Sequence, residues 1–261
     1  MVKFYKQDFE MTISEYQDAC FDILRDIVKC CNDNQINFWL EGGTLLGLIR
    51  HNDFIPWDDD IDISMDKKNY IKFMQISPSY FKNKYEILDC SNSYSSKGTM
   101  KVVGNSFTMI DSRKYQLKYE FDVFVDIFMS DDYYVGKLSK IYIKLSRIVE
   151  LFLGYPRKPS LVNTLAYLIG KPAQLFFKIV KFCMDTLLPK NGTGLLPVSS
   201  PYTAIQKKSD VFPLKYAKWR DLDVLIPNNP EGFLTTLFGA NYMQLPPENN
   251  RKVHAAKILK N

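Results

Sequence analysis

Residues 58–65 read Asp-Asp-Asp-Ile-Asp-Ile-Ser-Met, four carboxylates within five positions with Ile61 and Ile63 set among them. Apolar residues in strict alternation mark a strand with one buried face. Any fold of this chain therefore has to hold that charge against its core. Strand parity sends Asp60 and Asp62 to one face and Ile61 and Ile63 to the other. Two carboxylates on adjacent same-face positions repel one another unless a cation lies between them. Hard oxygen ligands of this kind suit Mg²⁺ or Mn²⁺. A third carboxylate on a second apolar strand would complete such a metal site, and Asp126, inside Phe-Val-Asp-Ile-Phe, is the best placed. Asp122 shares its face by parity and is the weaker candidate.

Simpler explanations account for less. An EF-hand loop counted from Asp58 would need Gly at its sixth position and Glu at its twelfth, where the chain has Ile63 and Asn69. A Walker A loop would need Gly-Lys-Ser/Thr, but Leu48 and Ile49 follow Gly47. A helix cap explains one or two of the aspartates and not four.

Just upstream, Gly42 and Gly43 end the apolar run Ile-Asn-Phe-Trp-Leu and open a helical turn. A glycine pair at a strand end lets backbone N–H groups approach a phosphate closely. Arg50 lies between the glycines and the acids, where it could neutralise a phosphate or serve the surface. Pro56 and Trp57 shape the turn that presents Asp58 to Asp62, and His51 reads as solvent-facing or structural.

Around this centre the pattern is that of one α/β (α+β) fold. Thr12 and Glu15 have capping-box spacing, and Tyr16, Cys20, Ile23, Leu24, Ile27 and Cys31 recur at helical spacing, which predicts a helix over 13–32. A surface helix is expected at 67–81. Strands or strand fragments are expected at Tyr85–Cys90, Thr99–Gly104, Thr108–Ser112 and Tyr119–Asp132. Residues 137–190 are helical in pattern, very apolar and punctuated by Lys and Arg. They fit a helical subdomain packed on the core or interfacial helices lying on a membrane with their lysines snorkelling. The expected organisation is a catalytic core at 1–136, a helical insertion for acceptor or membrane contact at 137–190, and a segment at 191–261 that returns to complete the core.

Composition narrows the function classes. A net charge of +5 without a basic block argues against nucleic acid and fits an anionic substrate or membrane face. Five cysteines with no Cys-x-x-Cys spacing fit neither a disulfide framework nor a zinc knuckle, and are expected of a reducing cytoplasm. No apolar run is long enough for a spanning helix. The expectation is a cytoplasmic protein, soluble or peripheral at the inner membrane face.

The stretch Phe-Trp-Leu-Glu-Gly-Gly-Thr-Leu-Leu-Gly-Leu-Ile-Arg-His-Asn-Asp-Phe-Ile-Pro-Trp-Asp-Asp-Asp-Ile-Asp-Ile-Ser-Met resembles the signature of the LicD family, the phosphocholine-transferase-like proteins that include fukutin-related protein. Glu-Phe-Asp-Val-Phe-Val-Asp-Ile-Phe is similar to that family's second acidic strand. The Pro-Asn turn, helix and closing prolines of 224–247 resemble its C-terminal motif. The resemblance covers about 12–132 and 210–254, and residues 137–190 match nothing in it. One departure is Met129, where many relatives carry Pro.

The resemblance implies a nucleotidyltransferase-like mixed sheet and transfer of a phosphorylated group from a CDP-activated donor, CDP-choline foremost, to a sugar hydroxyl of a glycan or lipid-linked oligosaccharide. Ribitol or glycerol phosphate are the implied alternatives. Carried over by position, Asp60 and Asp62 would hold the metals, with Asp126 as third ligand or as base for the acceptor hydroxyl. Gly42, Gly43 and Thr44 would face the donor phosphates, with Arg50 and Asp58 secondary. Nucleotidyl transfer to a small molecule and a silent glycan-binding module are the competing readings.

Overall fold

The first helix begins where its capping signal does. In α1 (Ile13–Asp33) Thr12 accepts the Glu15 N–H and the Glu15 carboxylate accepts the Thr12 N–H at 3.0 Å, the reciprocal pair of a capping box. All six apolar residues that define its period are buried. The computed structural model describes residues 12–89, 99–111, 120–134, 139, 141–146, 148, 161–187, 193–197, 204–251 and 255–260. Cys90 and the part of the expected helical run at 149–160 lie outside the described residues.

After α1 come β1 (Trp39–Leu40), α2 (Gly42–His51), β2 (Ile61–Asp66) and α3 (Lys67–Tyr80). Asp66 ends β2 and caps α3, accepting from the Asn69 N–H at 2.8 Å. The helix expected at the surface does bury one face, through Tyr70 and Phe73. Three strands follow: β3 (Glu86–Leu88), β4 (Thr99–Asp111) and β5 (Glu120–Tyr134). The two fragments expected at 99–104 and 108–112 are one strand, interrupted in its pairing with β5 by a register shift between Val103 and Thr108. Gly104 breaks the apolar pattern in the sequence without ending the strand; at a bulge the ladder shifts and continues.

The remaining elements are α4 (Leu161–Leu187), β6 (Thr193–Pro197), β7 (Gln206–Lys207), α5 (Lys208–Val211), β8 (Lys215–Trp219), β9 (Leu222–Ile226), α6 (Pro230–Phe238) and β10 (Ala255–Lys260). The main sheet is curled and mixed, ordered β1-β2-β5-β4-β10, with β3 on β4 and β6 and β7 extending from β5. β2 and β5 form the one parallel pair among the described residues, and their register sets Asp62 opposite Asp126. Ile61 and Ile63 turn into the core, as parity predicts, and Asp60 and Asp62 stay half-buried on the other side.

Residues from the far end of the chain finish this core. Trp219, Val224, Phe233 and Leu234 are buried in the same cluster as Ile61, Ile63 and Val125. Trp219 Nε1 donates to Asp53 at 3.0 Å, and Arg220 bridges Asp53 and Asp18, so the β8–β9 hairpin is fastened to the loop before β2. A separate small cluster of Ile143, Leu196 and Ile205 lies under Tyr133 and Tyr142. No described helix is long and apolar enough to cross a membrane.

Candidate active site

The acidic turn is built from three directions. From α1, Gln17 Nε2 donates to the carbonyls of Ile55 and Asp58, at 3.2 and 2.7 Å. From α2, Thr44 Oγ1 accepts the Asp62 N–H at 2.8 Å, which fixes the start of β2. From the residue that follows β1, the Glu41 N–H donates to the Asp62 carbonyl at 3.0 Å. Both backbone groups of Asp62 are thus held before its carboxylate meets anything.

The carboxylates converge. Asp58, Asp59 and Asp60 can each offer an oxygen within 4.8 Å of the others. Burial pushes the Asp62 carboxyl well above the usual carboxylate range, and the charges of Asp60, Asp126 and Asp58 push it further, against the pull of Lys101. The buried Cys20 thiol behind them is raised by its burial and then by Asp60, Asp59 and Asp126. A donor set of hard oxygens, crowded to the point of mutual repulsion, fits a divalent cation.

Asp59, only 2% exposed, adds a carboxylate that the alternation had not singled out. Lys101 is a second addition. It stands opposite Asp126 on β4, with Nζ 2.5 Å from Asp126 Oδ1 and 3.7 Å from the Phe124 ring centroid. Asp122 pairs with Thr108 through the backbone, and its side chain lies outside the described residues.

The glycines sit where α2 begins. Gly42 has φ of 54°, a conformation costly for any other residue. A Cβ on Gly43 would lie 2.7 Å from Asp58 Oδ2, so the bare backbone is what lets this carboxylate close on the helix start. The first-turn N–H groups of a helix lack intrahelical partners and carry partial positive charge. Thr44, 5% exposed, turns its hydroxyl to β2.

Arg50 is engaged elsewhere. Its Nη1 donates to the Tyr242 carbonyl at 2.9 Å, and its Nε donates to His51 Nε2 at 3.0 Å. It therefore ties the segment after α6 to the end of α2. His51 is lowered by burial and by Arg50, and packs edge-on against Trp57, whose ring also lies under Arg251. This matches the structural part expected of His51.

The family model described as "LicD/FKTN/FKRP, nucleotidyltransferase domain" matches residues 35–144. Residues 35–144 thus carry a domain of the LicD type. The chain is 26% identical to the lipopolysaccharide cholinephosphotransferase LicD of Haemophilus influenzae, over 94% of this chain and 96% of that one. It is 57% identical to the human ribitol 5-phosphate transferase FKRP over 51 residues, which is 18% of this chain and 10% of that protein. Against mannosyltransferase regulator 4 of Saccharomyces cerevisiae it is 32% identical over 38% of this chain and 9% of the other. The last two matches are local, since this chain spans a tenth or less of either relative.

Proposed function

We propose that this chain is a LicD-type phosphotransferase that moves phosphocholine from CDP-choline onto a sugar hydroxyl of a cell-surface glycan or its lipid-linked precursor. The observation that carries this reading is similarity to a cholinephosphotransferase along nearly the whole of both chains. The carboxylate set supports it.

Asp60 and Asp62, with Asp58 and Asp59 beside Asp60, would hold Mg²⁺ or Mn²⁺, which would supply charge neutralisation for the donor diphosphate and the departing CMP. The chain's own groups do the rest. Gly42 and Gly43 present the open end of α2 to the phosphates. Lys101 holds Asp126 Oδ1, which leaves Oδ2 to orient the acceptor hydroxyl and take its proton. The hydroxyl oxygen forms the new P–O bond as the bond to CMP breaks. A second reading, transfer of ribitol phosphate, is favoured by the 57% identity to FKRP across the local match.

Giving the enzyme and divalent metal CDP-choline, CDP-ribitol or CTP in separate reactions, then following CMP and pyrophosphate, separates these readings. Faster CMP release from CDP-choline supports the first, preference for CDP-ribitol the second. Pyrophosphate from a nucleoside triphosphate would instead make it a nucleotidyltransferase.

Two variants probe the geometry. Gly43→Ala is expected to leave stability within about 1 kcal/mol, since Ala suits a helix. It is expected to cut CMP release about tenfold by displacing Asp58, as melting and turnover on one preparation would show. Lys101→Met removes a charge-assisted bond and is expected to lower CMP release roughly 10- to 100-fold. Turnover equal to the parent would remove Lys101 from the account.

A further inference from the structure

Helix α4 and the helical residues 141–146 and 148 pack together the wrong way round for a helix pair facing water. Their mutual contact is partly polar: the Tyr142 hydroxyl donates to the Phe177 carbonyl at 3.1 Å, with the two rings 5.6 Å apart. Lys181 turns inward, 3.5 Å from Asp131 and 4.6 Å from the Tyr133 ring centroid. The outward positions are apolar. Ile141, Leu145 and Ile148 recur four and three residues apart, as do Leu175, Ile179 and Phe182 on α4, and all six are exposed. Phe182 is 70% exposed. A surface helix ordinarily buries such a stripe, and an exposed one marks a contact surface.

Charge identifies the partner. Residues 137–187 hold nine Lys and Arg against two acids, Glu150 and Asp185. The whole chain is only +5, so everything outside this segment is slightly acidic. Lys144 and Lys178 are exposed and lie three or four residues from members of the apolar stripes. A second copy of the chain fits poorly, because a two-fold interface would press this positive face against itself. Apolar side chains flanked by lysines suit a surface that is negative outside and hydrocarbon beneath.

We infer that the exposed face of residues 141–146 and 148 and of α4 lies on an anionic lipid bilayer, inserting its apolar side chains at the headgroup boundary. The face is coupled to the acidic centre through β5. Asp131, which pairs with Lys181, follows Asp126 by five residues on that strand, roughly 17 Å at about 3.4 Å per residue. Lys181 thus joins this face to β5 a third of the strand's length from Asp126. This inference stands apart from the identity of the donor.

Flotation of the full chain with vesicles of phosphatidylcholine, with and without phosphatidylglycerol, tests it. The wild type is expected to float with the anionic vesicles at low ionic strength and to be released by salt. Lys144→Glu with Lys178→Glu is expected to weaken binding at least about 25-fold, each basic side chain near an anionic surface being worth about fivefold. Leu175→Asp with Phe182→Asp is expected to abolish it, with unchanged circular dichroism and unchanged CMP release in vesicle-free buffer. Wild type that stays unbound at low salt, or variants that bind like wild type, would overturn the assignment. So would a dimer in sedimentation velocity that Phe182→Asp dissociates, since that would give the face to a second copy. A failure here with CMP release intact leaves the proposed reaction standing, and loss of CMP release with flotation intact does the reverse.

Discussion

Asp62→Asn is expected to lose CMP release by at least about 10³-fold, roughly 4 kcal/mol of transition-state stabilisation, while making the metal-free protein more stable. The two effects share one cause. The Asp62 carboxyl is driven up by its burial and by Asp60, Asp126 and Asp58, so its charged form is disfavoured in the folded chain. A folded carboxyl that holds its proton more tightly than the unfolded one costs stability as pH rises above the usual carboxylate range. The neutral amide removes that cost and keeps the backbone bonds to Thr44 and Glu41. Thermal melts in EDTA at neutral pH should therefore rise, and turnover with Mg²⁺ or Mn²⁺ should vanish. A variant that melts lower and retains turnover would show that Asp62 is a structural carboxylate.

Glu41→Gln is the second large effect, on stability and its pH dependence. Glu41 is 2% exposed, and its Oε2 accepts from Trp39 Nε1 at 3.1 Å. Burial pushes the carboxyl up to about 7, with Ser64, Trp39 and the Gly42 N–H pulling it down. Between the ordinary carboxylate range and about pH 7 the folded chain binds more protons than the unfolded one, so stability falls as pH rises through that window. The full loss is on the order of 3 kcal/mol. Glutamine is isosteric, can still accept from Trp39 and does not titrate. The variant should have a flat profile across this window and exceed the parent above it, by denaturation at a series of pH values. A parallel profile for parent and variant would contradict the account of this carboxyl.

What was legible in the sequence was what depends on local period. Asp60 and Asp62 opposite Ile61 and Ile63 follow from strand alternation, and the α1 boundaries follow from Thr12, Glu15 and the apolar repeat. The parallel seating of Asp62 beside Asp126 is a register between strands about sixty residues apart, and only the apolar setting of Asp126 hinted at it. Lys101 was not legible at all, because a lysine in a strand says nothing of which carboxylate it will oppose. Gln17 could have been found, as a polar residue three positions before Cys20 on the buried face of α1. Arg50 shows the reverse case. Its position between glycines and acids invited a phosphate, yet its donors reach carbonyls at Tyr242 and Gln244, a contact that no local pattern encodes.

The central claim is that these carboxylates serve phospho-transfer from a CDP-activated donor. The most direct measurement is CMP release from CDP-choline in Mg²⁺ or Mn²⁺, wild type beside Asp60→Ala, with EDTA as the control. The account predicts CMP from the wild type with metal, none in EDTA, and none from Asp60→Ala. Equal release by Asp60→Ala, or no metal-dependent release from CDP-choline, CDP-ribitol or CDP-glycerol with a glycan acceptor present, would contradict it.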